Sequence, residues 1–301
     1  MKLTILGCYS ATPRTFTNPT SQVLEINGHL LLIDCGEGTQ VQLRKNKIRF
    51  SRINHIFISH LHGDHFFGLP GLIATFQMLN RENSLHIYGP KGIKQAITLL
   101  LKLSNSWTAY PLHFHELTEK KTELIFEDNK IHVYTIPLQH RIYCNGFLIK
   151  EKPGERKLVI SKVLNHNIDV SLYKSIKRGK DVINQNGILI KNEELTEDPA
   201  PTKSYAFCSD TRYHEGKIPQ IENVTALYHE STFLESHKHL CEYTGHSTAK
   251  QAATIAKKAN VNFLILGHYS TRYKDISLFR EEAQTIFTDT DIADDGKVFE
   301  F

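Results

Sequence analysis

Short apolar runs recur along the chain, each stopped by a polar cluster. Leu3–Leu6, Ser21–Ile26, Leu30–Ile33 and Ile53–Ser59 read as strands, the last as a buried one from its Ile and Phe content. Thr39–Lys45, Leu69–Leu79 and Lys91–Leu103 read as helices, and Ala11–Thr20, rich in Thr, Pro and Asn, as a loop. Leu85–Tyr88 is a further strand, and Leu124–Phe126, Lys130–Leu138 and Asn145–Ile149 form a meander. The second half repeats the alternation. Ser204–Cys208, Val224–Tyr228 and Val261–Leu266 are strands, and Thr248–Lys258 and Leu278–Phe287 are helices, the former with Ser247 as its expected N-cap. Strands with helices between them, twice over, predict two β-sheets covered by helices.

One segment breaks this pattern. Lys150–Val182 carries nine Lys/Arg and four Asp/Glu, a net +5, and holds the Pro153-Gly154 breaker. The whole chain of 301 residues carries only +4, so the charge is local, and the segment reads as an excursion from a single domain over 1–301. A second basic run, Arg44, Lys45, Lys47, Arg49 and Arg52, contains no acid. Cys8, Cys35, Cys144, Cys208 and Cys241 are odd in number and widely spaced, with no C-x-x-C pair, which excludes a disulfide framework and a thiolate zinc site and suits a reducing compartment. The apolar stretch before Cys8 is too short for a signal-peptide core, and no run reaches the length of a membrane helix. A cytoplasmic protein is expected.

Seventeen histidines change the picture. His60-Leu61-His62-Gly63-Asp64-His65 places four potential metal ligands directly after a buried strand. In extended chain, side chains at i and i+2 point the same way, so His60 and His62 can share one ion. Gly63 lets the chain bend so that Asp64 and His65 reach a second. Imidazole and carboxylate are the usual zinc ligands besides thiolate. Isolated H-x-H pairs, His113/His115 and His237/His239, are read as structural or surface groups. His140, Asp210 and His268 each lie just past an apolar run, as the motif does. Strand ends gather side chains on one rim. The proposed shells are His60, His62 and His140 on one ion, and Asp64, His65 and His268 on the other. Asp210 lies between, since a carboxylate offers two oxygens.

H-x-H-x-D-H with downstream His, Asp and His resembles the metallo-β-lactamase superfamily. The resemblance implies an α/β fold, the αββα sandwich, with the metals at one edge. Asp34 resembles that family's buried aspartate, which orients a ligand rather than binding metal. Within the superfamily, Ser59–Leu72 is similar to the ribonuclease Z form of the motif. His229-Glu230-Ser231-Thr232 matches its H-E-[SA]-T motif, and Gly245-His246-Ser247 matches the histidine that partners its glutamate. The basic excursion lies where that family inserts a tRNA-gripping arm, at about 150–182.

The resemblance implies an endoribonuclease that removes the 3′ trailer from precursor tRNA, leaving a 3′-hydroxyl on the tRNA. It implies two Zn²⁺ per subunit, with Mn²⁺ or another divalent ion as the alternative, and a homodimer. Asp64, Glu230 and His246 are the expected catalytic groups. A metal pair activates water and neutralises phosphoryl charge, Asp64 accepts the water's proton, and Glu230 with His246 supplies a proton to the leaving oxygen. Arg272 resembles the family's S-x-R-Y tail, expected near the scissile phosphate. Two departures stand out. Pro13–Asn18 lacks the Lys and the second basic residue of the family's P-x-K-x-R-N loop, and the excursion lacks the usual Gly-Pro-rich tip. The competing readings are a phosphodiesterase for small diesters and an RNA-binding protein with structural metals; a lactamase leaves Glu230, His246 and the basic segment unexplained.

Overall fold

The computed structural model describes residues 1–301. The chain divides into two compact units. The first comprises Met1–Glu127, His132–Lys150 and Lys203–Phe301, and the second Asp128–Ile131 and Glu151–Thr202.

The first unit is built on two seven-stranded sheets. Strands β1 (Lys2–Gly7), β2 (Ser21–Ile26), β3 (His29–Ile33), β4 (Ile53–Phe57), β5 (Leu85–Pro90) and β6 (Leu112–Leu117) lie side by side in chain order. The pairing is antiparallel from β1 to β3 and parallel from β3 to β6. The second sheet holds β7 (Leu124–Glu127), β8 (Ile131–Pro137), β9 (Asn145–Glu151), β10 (Ser204–Cys208), β11 (Ala226–Glu230), β12 (Leu264–Gly267) and β13 (Thr290–Ile292), and β10 to β13 are parallel. The last strand, β14 (Val298–Glu300), returns to pair with β1 in the first sheet.

Period-two alternation decides which face of the first sheet meets what. Leu30, Leu32, Ile56, Ile58, Leu85 and Ile87 turn toward helices α1 (Thr39–Lys45), α2 (Leu69–Met78) and α3 (Ile93–Leu103), packing on Leu43, Leu72, Ile73, Phe76 and Ile97. Residues of opposite parity, such as Phe57, meet the second sheet, where Phe147 lies 5.5 Å away between ring centres. On the far side, α4 (Ala249–Lys258) lays Ala252, Ala253, Ile255 and Ala256 on β11 and β12, and α5 (Ser277–Gln284) packs beside it. The layer order is helix, sheet, sheet, helix, the expected αββα sandwich.

Two local expectations are corrected. The N-cap of α4 is Thr248, whose hydroxyl accepts from Gln251 N while the Gln251 side chain accepts from Thr248 N. Ser247 instead donates to Thr211 O at 2.6 Å. Leu112–Leu117 is an edge strand that the pattern concealed, because His113, His115 and Glu116 fill it with polar groups. Its two histidines stack on His86 of the neighbouring strand.

The second unit has its own small core of Val163, Ile168, Ile176, Val182, Ile190 and Leu195. Three short helices, Ile160–Asn165, Tyr173–Lys177 and Asn192–Leu195, and two pairs of two-residue strands frame it. Asn192 locks these pieces by donating to Ile176 O and Lys180 O. The basic run Lys150–Val182 falls almost wholly in this unit, which continues to Thr202.

Candidate metal centre

Parallel strands present their C-terminal ends on one edge. His60 follows β4, Asp210 follows β10 and His268 follows β12; His140 lies just past β8, which runs antiparallel to β7. Three of the residues at this edge, Asp34 (φ 55°), Asp210 (φ 49°) and His268 (φ 62°), hold left-handed backbone. The other non-glycine residues with positive φ are asparagines and Lys47, at ordinary turns. Aspartate and histidine in this region cost on the order of 1 kcal/mol each, a strain that the surrounding packing must offset and that gathers at functional sites.

The structure brings all seven sequence-predicted ligands together. His60 Nε2, His62 Nδ1, His140 Nε2 and Asp210 Oδ2 face one another: His62 Nδ1 is 3.0 Å from His60 Nε2 and 3.2 Å from His140 Nε2, and Asp210 Oδ2 is 3.6 and 3.7 Å from those two Nε2 atoms. Asp64, His65 and His268 form the adjoining group. Here Asp210 Oδ1 lies 3.2 Å from His65 Nε2 and 3.1 Å from His268 Nε2, while Asp64 Oδ2 is 3.4 Å from each. The two oxygens of Asp210 thus serve different groups.

The outward ring nitrogens of His60, His65, His140 and His268 are anchored, and the anchors fix the tautomers. His65 Nδ1 donates to Asp34 Oδ2 at 2.6 Å, and Asp34 also accepts from Ser59 N and Ser59 Oγ. His60 Nδ1 reaches the same carboxylate through Ser59 Oγ, 3.0 Å away. His140 Nδ1 donates to Gly245 O at 2.8 Å, and His268 Nδ1 to Thr232 Oγ1 at 2.9 Å. With Nδ1 protonated, each Nε2 turns a lone pair inward, the form a metal requires. Sequence reasoning found Asp34 but missed the anchoring roles of Ser59, Gly245 and Thr232, all three of which lay inside motifs already singled out.

The donor set fits a pair of divalent cations. His65 Nε2 is fully buried and makes no well-formed hydrogen bond. Burial would strip His65 of charge, yet Asp210, Asp64 and Asp34 push its pKa well above the usual histidine value. The field that would hold a proton there favours a cation. Five imidazoles and two carboxylates are hard-to-borderline ligands, suited to zinc or manganese rather than to soft metals.

A second constellation stands beside the first. Glu230, at the end of β11, is buried, and its carboxylate accepts from Thr211 N, Thr232 N and Thr232 Oγ1 at 2.7–3.0 Å. His246 Nδ1 donates to Glu230 Oε1 at 2.9 Å. Burial lowers the His246 pKa, but the Glu230 charge and hydrogen bond more than offset it, leaving it at about 9. Burial raises Glu230 in turn, and His246 brings it down to about 2. The pair is therefore ionic at neutral pH. The His246 ring lies 5.1 Å from that of His140 and 5.2 Å from that of His268.

Clefts open on either ligand group. One of about 310 Å³ at Asp64 is lined by Tyr9, Pro13, Asn18, Glu37 and Phe67. Another of about 850 Å³ at His140 carries Lys120, Lys121, Arg141 and Arg212. Arg14, the basic residue in the Pro13–Asn18 loop, is occupied with Ser270 O and Tyr273 O. Arg272 is exposed. The second basic run borders a cavity of about 610 Å³, lined by Arg44, Lys47, Arg49, Phe50 and Phe76, before the start of β4 rather than at its catalytic end.

A family model described as Anti-Pycsar protein Apyc1 matches residues 1–186. The ribonuclease Z of Parabacteroides distasonis is 46% identical over 294 residues, 98% of this chain and 97% of that protein. Among solved structures, human tRNase Z, short form, matches with a TM-score of 0.73 and 26% identity, covering 100% of this chain and 99% of its own. The metallo-β-lactamase fold protein YhfI from Bacillus subtilis matches with a TM-score of 0.69 and 19% identity over 99% of both chains, a likeness of fold.

Proposed function

The chain belongs to the ribonuclease Z family, and through residues 1–186 to the family described as Anti-Pycsar protein Apyc1, and from that premise we propose a metal-dependent endoribonuclease that removes the 3′ trailer from precursor tRNA. The observation that carries this reading is the ionic Glu230–His246 pair standing beside two ligand groups that share Asp210. Hydrolysis of a lactam or a thioester has no need of a separate proton donor for an alkoxide. A ribose 3′-oxygen does.

His60, His62, His140 and Asp210 Oδ2 would hold one cation, and Asp64, His65, His268 and Asp210 Oδ1 the other, as two Zn²⁺ per subunit or Mn²⁺ in their place. Bound there, the cations would acidify the attacking water and neutralise charge on the phosphoryl oxygens. The rest is the work of the chain. Asp64 accepts the proton that the water loses. As the water oxygen bonds to phosphorus, the bond from phosphorus to the ribose 3′-oxygen breaks. The electron pair stays on that oxygen, which takes the proton from His246 Nε2 and leaves as the 3′-hydroxyl of the tRNA. The phosphate remains on the 5′ end of the trailer. Glu230 orients the imidazole and keeps it charged until that moment.

The second unit supplies cations for an RNA backbone. Arg156, Lys157, Lys174 and Lys177 line a groove of about 730 Å³ there. Phosphate contacts of this kind add affinity without reading sequence, which suits a substrate recognised by shape. The family reading adds a homodimer working in the cytoplasm. No helix of the chain is long and apolar enough to cross a membrane.

The test is incubation of the purified, metal-loaded protein with a 3′-extended precursor tRNA and mapping of both new ends. The expected products are a tRNA with a 3′-hydroxyl and a 5′-phosphorylated trailer. A 3′-phosphate on the tRNA, or no cleavage by a protein that hydrolyses small diesters, would remove the reading.

A further inference from the structure

The cavity of about 610 Å³ before the start of β4 stands apart from the metal centre. The five residues of β4 lie between it and His60, roughly 16 Å at the usual rise of an extended strand. Its lining is apolar at Ile48, Leu79, Phe50 and Phe76, and the two phenyl rings meet edge to face at 6.0 Å. A guanidinium lies over each ring, Arg44 on Phe50 and Arg81 on Phe76, 4.9 Å from the ring centre in both cases. Arg81 is fixed by neutral acceptors alone, namely Ile53 O, Asn83 O, Ser84 O and Asn54 Oδ1. Within the basic run only Arg52 has an acid partner, Glu25 at 3.4 Å. Arg44, Lys47 and Arg49 are exposed at the cavity with no such partner, and Glu82 is the one acid in its lining.

The backbone at Lys47 points the same way. Helices α1, α2 and α3 all close with one kind of turn, in which a left-handed residue donates to the carbonyl three back and its successor to the carbonyl five back. Glycine or asparagine usually holds that place, and Asn80 (φ 54°) and Asn105 (φ 51°) hold it after α2 and α3. After α1 it is Lys47 (φ 56°), a side chain this backbone disfavours. The helix end has no need of its charge, because Arg44 and Lys45 already stand in the last turn. Local structure gives no reason for a lysine there, whereas an anion in the cavity does.

Four cations against one acid select an anion, and the volume is that of a site for a whole small molecule rather than a bare phosphate. The apolar lining calls for a flat or apolar body on that anion. A guanidinium seated on a phenyl ring offers its open side for stacking, as bases use arginine planes. Asn80 and Asn83 add amides with a donor and an acceptor for a base edge. We propose that this cavity is a second, non-catalytic site that binds a nucleotide, with the base against Arg44, Phe50 and Phe76 and the phosphate on Lys47 and Arg49. The site is independent of the cleavage reading. A free mononucleotide and one residue of a single-stranded RNA present the same groups.

The test is equilibrium dialysis of the metal-loaded protein with AMP, counting the sites per subunit and the affinity of each. It compares wild type with the double variant Arg44→Gln, Lys47→Asn. Asparagine suits the left-handed turn, so the variant should melt no lower than wild type and should hydrolyse bis-nitrophenyl phosphate at the wild-type rate. Arg49→Gln, outside the turn, repeats the comparison with α1 untouched. A nucleotide held at the metal centre is retained in all three proteins. The expected result is one further AMP site in wild type, whose affinity falls about tenfold or more in the double variant. Pyrophosphate should compete there more weakly than AMP, because it cannot stack. Oligoadenylate that binds this site more tightly than AMP would assign it to an RNA strand, and the reverse order to a free nucleotide. Equal AMP binding by wild type and both variants would overturn the proposal. So would pyrophosphate that binds as tightly as AMP, which leaves an anion site only, or dodecanoate that binds more tightly, which makes the lining an acyl site.

Discussion

Replacing Glu230 by Gln removes the charge that sustains His246 while keeping the shape of the side chain. In the folded protein His246 titrates at about 9. Without the carboxylate it returns to its ordinary 6.5 or lower, because burial still opposes the charged ring. The donor form is populated below the pKa and lost above it. At pH 8 the protonated fraction falls from about nine-tenths to about one-thirtieth, a loss of about thirtyfold in kcat, worth about 2 kcal/mol in the barrier. At pH 6.5 the same substitution costs only about twofold. The assay is single-turnover cleavage of precursor tRNA by wild type and Glu230→Gln between pH 6.5 and 8, read as the ratio of the two rates. Protonation of the shared metal ligands affects both enzymes alike and leaves the ratio untouched. The amide also turns an N–H toward Thr211 N or Thr232 N, so about 1–3 kcal/mol of stability is lost, to be checked by a thermal melt. A ratio that stays flat across this range would refute the argument that Glu230 acts by charging His246.

Three other outcomes follow from the geometry. Asp34→Asn cannot accept from His65 Nδ1 as a carboxylate does, so metal affinity should fall by about 10–100-fold in a chelator competition, and an unchanged affinity would show that the anchor is dispensable. Gly245 has φ +79° and a β-carbon there would sit 2.9 Å from His140 Nδ1, so Gly245→Ala should displace that ring and cut kcat by tenfold or more, at a stability cost of about 1 kcal/mol; full activity would mean His140 is not held by this turn. Lys174→Ala with Lys177→Ala should weaken tRNA binding uniformly across sequences and reduce the slope of log affinity against log salt by about 2, and an unaltered slope would remove these lysines from the interface.

Much of this protein is legible in the order of its residues. The H-x-H-x-D-H run after an Ile/Phe-rich strand, and single His or Asp residues just past later strands, follow from local rules: side-chain alternation along a strand, and loops at strand ends. These are properties of neighbours in the chain. Cap choice at α4 was misread because Ser247 and Thr248 are equally able to cap, and the choice fell to Thr211, whose carbonyl claims Ser247 from a distance of 36 residues. The strand at Leu112–Leu117 was hidden because the face it turns away from the helices is histidine, stacked on His86 of the next strand.

Tertiary structure alone decided how the site is tuned. No spacing in the chain reveals that Gly245 supplies a carbonyl to His140, or that one hydroxyl of Thr232 links His268 to Glu230. Nor does it reveal that Lys217 is buried against His229. Residue types travel with the sequence, but pKa, tautomer and strain depend on burial and on which charges lie within a few ångströms. Those quantities come into being only when the two sheets close on each other and exclude water.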